Sequence, residues 1–125
     1  MSPLTQEWVE KAEKDYRSAL RELRARKDPN YDDGCFHSQQ CIEKYLKALL
    51  QESGIAFSKT HQLEKLIDLL VPDPMWLTIR PQLVPLNSYA VNFRYPGYSA
   101  EKAKLTVAMK ACREVRNHAR QILEL

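Results

Sequence analysis

The residues that could do chemistry fall into a few groups, the first within Cys35-Phe36-His37-Ser38-Gln39-Gln40-Cys41-Ile42-Glu43-Lys44-Tyr45-Leu46-Lys47-Ala48-Leu49-Leu50. This stretch has neither proline nor glycine and is rich in good helix formers, so it reads as a helix. Phe36, Gln39, Glu43, Leu46 and Leu50 recur at three- and four-residue steps and share one stripe of it. An amide and a carboxylate thus interrupt an apolar face, and a buried polar group without a partner costs roughly 1–3 kcal/mol. Either Gln39 and Glu43 bond neighbouring helices and hold the register, or they form part of a ligand or RNA site.

The second group is Arg94 with Tyr95 and Tyr98. Pro96 pushes Tyr95 out of the helical region, so a helix ends near Arg94 and leaves a guanidinium at a C-terminus, where a cation is favoured. A guanidinium so placed suits a carboxylate or a phosphate. The expectation is that Arg94 reaches Glu43 or Asp15. Asp15, Gln39, Glu43, Arg94 and Tyr95 are then one polar cluster, serving a ligand or the structure.

Arg113 and His118 form the third group, an arginine and a histidine with four residues between them. Five residues turn a helix by about 140°, so the two do not share a face within one chain. His37 and Cys41 are four apart and could share a metal, but two ligands do not make a site and no third or fourth lies nearby. No metal and no cofactor is expected.

The elements that must position these groups are helices. The first is expected to start at Thr5 as N-cap and to run to about Arg26, with Trp8, Ala12, Tyr16, Ala19 and Leu23 inward and Asp15 at the edge of that stripe. Arg17, Arg21 and Arg24 line its other side as a solvated basic face. Asp28-Pro29-Asn30 is a turn, after which Asp32 or Asp33 caps the second helix and Gly54 ends it. On that helix His37, Gln40, Lys44, Lys47 and Gln51 form a polar face, in water or at a partner surface.

Thr60 is expected to cap a third helix, with a neutral His61 in its first turn and Leu63, Leu66, Ile67 and Leu70 buried. A short helical piece covers Met75 to Arg80. Pro81 and Pro85 argue against one long helix there, and a restart from Leu83 or Val84 to Asn92 turns Leu86, Tyr89, Ala90 and Phe93 inward. Ser99 caps the last helix, whose apolar stripe is Leu105, Ala108, Cys112, Val115, Ala119 and Ile122. The predicted fold is all-α: an up-and-down antiparallel bundle of four main helices plus one short helix.

With 125 residues, 44% hydrophobic and 28% charged, the chain reads as one globular domain over 1–125. No apolar run approaches the roughly 20 residues that span a bilayer. The stretch from Met1 to Trp8 lacks a charged region followed by an apolar one, so no secretory signal is expected. Three cysteines without CxxC spacing fit reduced thiols, and a cytoplasmic protein is expected. A net charge of +3 permits nucleic acid without demanding it.

The stretch from Cys35 to Leu49 resembles the C-F-H-A-Q-Q-A-A-E-K-A-L-K-A-L helix of HEPN domains. Trp8, Ala12 and Asp15, then Thr60, His61 and Leu63, then Tyr89 with Arg94-Tyr95-Pro96 extend the likeness over nearly the whole chain in order. The resemblance implies a helical bundle that forms homodimers. It also implies a frequent partner, a small nucleotidyltransferase encoded alongside, in pairs that can act as toxin and antitoxin. HEPN domains are tied to RNA cleavage or to nucleotide binding. The catalytic ones carry an R-x(4–6)-H motif whose histidine and arginine act on the ribose 2′-hydroxyl and the phosphate without metal.

By chain position Arg94 matches the motif arginine, yet Tyr95-Pro96-Gly97-Tyr98-Ser99 follow it with no histidine at the needed distance. General acid–base chemistry needs a titrating group within hydrogen-bond reach. The sequence therefore reads as a homodimeric HEPN binding module that engages a nucleotide, RNA or a nucleotidyltransferase partner without catalysis of its own. The alternative is a metal-free ribonuclease toxin using Arg113 and His118 across a dimer.

Overall fold

The computed structural model describes residues 1–125, and every regular element in it is helical. The first helix, α1, is Pro3–Arg24. Its cap is Ser2 rather than Thr5: Ser2 Oγ accepts from the Thr5 amide at 3.1 Å, and Pro3 takes the first helical position, where its missing N–H costs nothing. Thr5 is buried inside the helix, and its hydroxyl donates to Glu52 Oε1 at 3.0 Å.

Helix α2 spans Tyr31–Glu52 and is capped by Asn30, whose Oδ1 accepts from the Asp33 amide at 2.9 Å. Asp32 and Asp33, expected as caps, occupy the first turn instead, where the helix dipole favours acids. Gly54, at φ +67°, supplies the left-handed residue after the helix. Near the start of α2, a Cβ on Gly34 would lie 2.7 Å from Leu105 Cδ2, so the last helix packs against bare backbone there.

Helix α3 is Leu63–Leu69. Thr60 does not cap it; Thr60 Oγ1 accepts from the Gln62 amide at 3.1 Å and turns the loop, so His61 precedes the helix. Helix α4 is Pro74–Leu83, with Asp73 Oδ1 accepting from the Trp76 amide at 2.8 Å. The expected break at Pro81 does not occur. Pro81 is exposed, so water can take up the carbonyl left free by its missing N–H. After Leu83 the chain tightens into 3₁₀ turns, Val84–Ala90 and Asn92–Arg94, rather than a second α-helical run.

Helix α5 is Lys102–Ile122. Ser99 lies outside it because the Ala100 amide is drawn to Asp32 Oδ1 at 2.5 Å, which ties this loop to the start of α2 and delays the helix to Glu101.

The central rod is α2, with α1 on one side and α5 on another, the 3₁₀ segment and α3 covering the remainder. Its Ile42, Tyr45, Leu46, Ala48 and Leu50 are fully buried, and each large apolar side chain contributes about 2 kcal/mol by leaving water. The supposed solvent face of α2 is only partly exposed. Lys47 is buried, and His37 and Lys44 are half-buried, because α1 supplies Asp15 against them. No helix is long and apolar enough to cross a membrane.

Candidate functional site

The polar residues singled out by sequence form two clusters rather than one. In the first, Asp15 is buried on α1 and is met by two nitrogen groups from α2. His37 Nδ1 lies 2.7 Å from Asp15 Oδ1, and Lys44 Nζ lies 2.5 Å from Oδ2. A carboxylate only accepts, so the proton of this imidazole sits on Nδ1. The other ring nitrogen, Nε2, lies 3.5 Å from Asp33 Oδ2, one turn earlier on α2. The hydrogen bond to Asp15 raises the imidazole above its ordinary value; burial opposes this, Asp33 adds to it and Lys44 subtracts.

The second cluster surrounds Glu43, whose side chain is only 5% exposed. Glu43 Oε1 meets His61 Nδ1 at 2.9 Å, and Oε2 accepts from Lys47 Nζ at 3.1 Å. Lys47 Nζ also lies 5.6 Å from the centre of the Trp8 ring and 5.9 Å from that of Phe57. Gln39 is fully buried; its Nε2 reaches the His61 carbonyl at 3.5 Å, and its Oε1 accepts from Gln40 at 2.7 Å. Gln39 and Glu43 therefore do face inward, and both are satisfied within the chain.

Arg94 answers neither Glu43 nor Asp15, which corrects the expected ion pair. Its guanidinium carbon lies 5.1 Å from the centre of the Phe36 ring. Glu43 is seven residues further along α2, about 10 Å down the helix axis, which puts it out of reach. Arg94 instead lines a cleft of about 350 Å³ with Asn30, Asp32, Asp33, Phe36 and Phe93. Tyr95 and Tyr98 stand beside it in the following loop, 61% and 54% exposed. The cleft thus gathers one unpaired guanidinium, two phenyl rings, an amide and two carboxylates at the N-terminal end of α2.

Arg113 and His118 are not brought together as an acid–base pair. His118 Nε2 is 2.8 Å from Asp73 Oδ2, and its ring packs edge-on against Trp76 with centroids 4.6 Å apart. Burial pushes the Asp73 carboxyl up, but the bonds from His118 and the Trp76 amide outweigh this and hold it below its usual range. Arg113 makes no ion pair and is offset by about 140° around α5. No group of three or more metal-ligating side chains exists, and His37, the proposed partner of Cys41, is engaged by Asp15 and Asp33.

Sequence reasoning missed Asp33, His37 and Lys47 as partners, although Asp33 and His37 at i,i+4 on a helix carried a usable signal. It also missed the lock of α1 to α5. There Arg116 makes a forked pair with Glu13 at 2.7 and 2.8 Å, the Tyr45 hydroxyl donates to the same carboxylate at 2.5 Å, and Arg116 lies over the Tyr16 ring at 4.4 Å. Burial and the bond to Glu13 push the Tyr45 hydroxyl far up, so it stays protonated.

Comparison with known proteins agrees with this architecture. A Thermus thermophilus protein, TT1696, has a crystal structure that superposes with a TM-score of 0.78, covering 94% of this chain and 96% of that one at 19% identity. The crystal structure of ST0689, described as an archaeal HEPN homologue, gives a TM-score of 0.71 at 25% identity, covering 94% of this chain and 95% of that one. A Methanocaldococcus jannaschii protein bearing the name "Putative toxin MJ1304" is 31% identical over 96 residues, which is 71% of this chain and 61% of that relative's length. The HEPN domain family model matches residues 5–125, the span that holds both polar clusters and all of the bundle but the first two residues of α1, and the chain belongs to the HEPN domain family.

Proposed function

We propose that this HEPN domain is a binding module that engages a nucleotide or an RNA segment at the Arg94 cleft, without catalysis of its own. The observation that carries the reading is the composition of that cleft. Phe36 and Phe93 offer faces for a base, Arg94 offers a guanidinium free of any carboxylate, and Asn30 offers an amide for base or ribose groups. A volume of about 350 Å³ is at the lower end of small-ligand pockets, enough for one nucleotide unit.

The homodimer and the nucleotidyltransferase partner implied by the family resemblance belong to the same proposal. The exposed loop of Tyr95 and Tyr98 beside the cleft is the surface we assign to a protein partner, since aromatics are enriched where proteins meet. A toxin role is supported by the name carried by the archaeal relative, and the pairing with an antitoxin by the family resemblance. The ribonuclease reading has less support, because His118 is held by Asp73 and Arg113 points elsewhere.

The test is titration calorimetry with ATP and with a short single-stranded RNA, alongside an RNA-integrity assay after overexpression. Arg94→Ala should weaken binding about tenfold or more, the loss of one charge-assisted contact. Arg113→Ala and His118→Ala should leave binding unchanged and RNA intact in both backgrounds. RNA degradation abolished by either of those two substitutions would overturn the non-catalytic reading.

A further inference from the structure

We propose that His37 is a positioning residue for the Arg94 cleft: its proton decides whether Asp33 is held against α2 or turned into the cleft as an uncompensated negative charge. This rests on the reading of the cleft as a site for a phosphate-bearing ligand, and it makes that binding proton-linked.

The geometry sets out the steps. Asp15 keeps one proton on His37 Nδ1 at 2.7 Å, and Lys44 Nζ lies 2.5 Å from the other Asp15 oxygen. The proton that comes and goes is therefore the one on Nε2. That nitrogen faces Asp33 Oδ2 at 3.5 Å. With Nε2 protonated, the imidazolium bridges two carboxylates from two helices. With Nε2 bare, a lone pair faces a carboxylate, and Asp33, 47% exposed, is free to turn into the cleft. Asp33 lines the same cleft as Arg94, so the turn opposes the guanidinium on which an anionic ligand depends.

The charged groups facing this imidazole are Asp15 from α1 and Asp33 and Lys44 from α2; the Phe36 ring stands edge-on to it at 5.2 Å. The two carboxylates favour the charged ring, while burial and Lys44 oppose it. The other two histidines are built differently. His61 pairs with one carboxylate and leaves its ring 70% exposed, and His118 pairs with Asp73 away from this cleft. His37 is the histidine placed between a buried acid and a cleft acid.

The experiment is calorimetric titration of the intact chain with the dinucleotide ApA, whose diester phosphate keeps a fixed charge over the range studied. Affinity should fall about fivefold between roughly pH 5.5 and pH 8.5, the lower end of ordinary coupling between linked sites. His37→Gln should flatten that profile at the weak-binding value, and Asp33→Asn should flatten it at the strong-binding value. Nitrogen NMR of the imidazole should place the midpoint of the wild-type profile at the titration of Nε2, and Asp33→Asn should move that titration to lower pH. Should His37→Gln fail to fold, Asp33→Asn carries the test, since its side chain is half exposed. ApA binding that is flat with pH in the wild type, or a slope that survives Asp33→Asn, overturns the linkage and leaves the cleft reading standing. No ApA binding at any pH sinks the cleft reading and the linkage together.

Discussion

Two carboxylates in this bundle are each answered by one histidine and one lysine, and they differ in where those partners come from. Asp15 stands on α1 while His37 and Lys44 stand on α2, so that cluster joins two helices. Glu43 and Lys47 are both on α2, four residues apart, and His61 comes from the loop just beyond the helix. Burial differs as well. Lys47 is 9% exposed under Trp8 and Phe57, whereas Lys44 is 22% exposed. The Glu43–Lys47 pair is held in a dry place with only His61 reaching water, and the Asp15 cluster is open on one side to a cleft that holds a second acid. Similar components therefore give a structural lock in one case and a group that can respond to solvent and ligand in the other.

Breaking the closed cluster should cost most. Glu43→Ala leaves the Lys47 ammonium buried without its carboxylate, and the loss should be about 3–5 kcal/mol in urea unfolding. Asp15→Ala should cost less, about 2–3 kcal/mol, because Lys44 and His37 can turn toward water. If the two losses prove equal, the difference in burial is not what separates the clusters.

The pH response sharpens the contrast. The folded-state value of His37 lies above its unfolded value, which is about 6.5. The stability it contributes is thus fully present below about pH 6.5 and is lost as pH rises through the folded value. Unfolding midpoints measured across that window should drop for the wild type and stay level for His37→Gln. His61→Ala should be mild, about 0–1 kcal/mol, since the ring is mostly in water. The smallest stability effect belongs to Arg94→Ala, within about 0.5 kcal/mol, although it should remove most nucleotide binding.

Much of the fold was legible because helical periodicity is a local signal. The run from Cys35 to Leu50, the stripe from Leu105 to Ala119 and the breaker at Val71 to Pro74 each declare themselves within a few turns. Helix ends were less legible. Ser2, Asn30 and Gln62 take the caps read at Thr5, Asp32 or Asp33, and Thr60, because several polar residues competed at each end and local hydrogen bonds chose among them.

By itself the sequence determined that Gln39 and Glu43 point into the bundle, since their spacing from Phe36, Leu46 and Leu50 allows no other face. It also determined that Arg94 ends its segment, because Pro96 forbids continuation. Which cation meets which acid was decided only when the helices packed. Ion pairs depend on distances of a few ångströms between separate elements, and α1 brought Asp15 to His37 while the 3₁₀ turn carried Arg94 to Phe36, out of reach of Glu43.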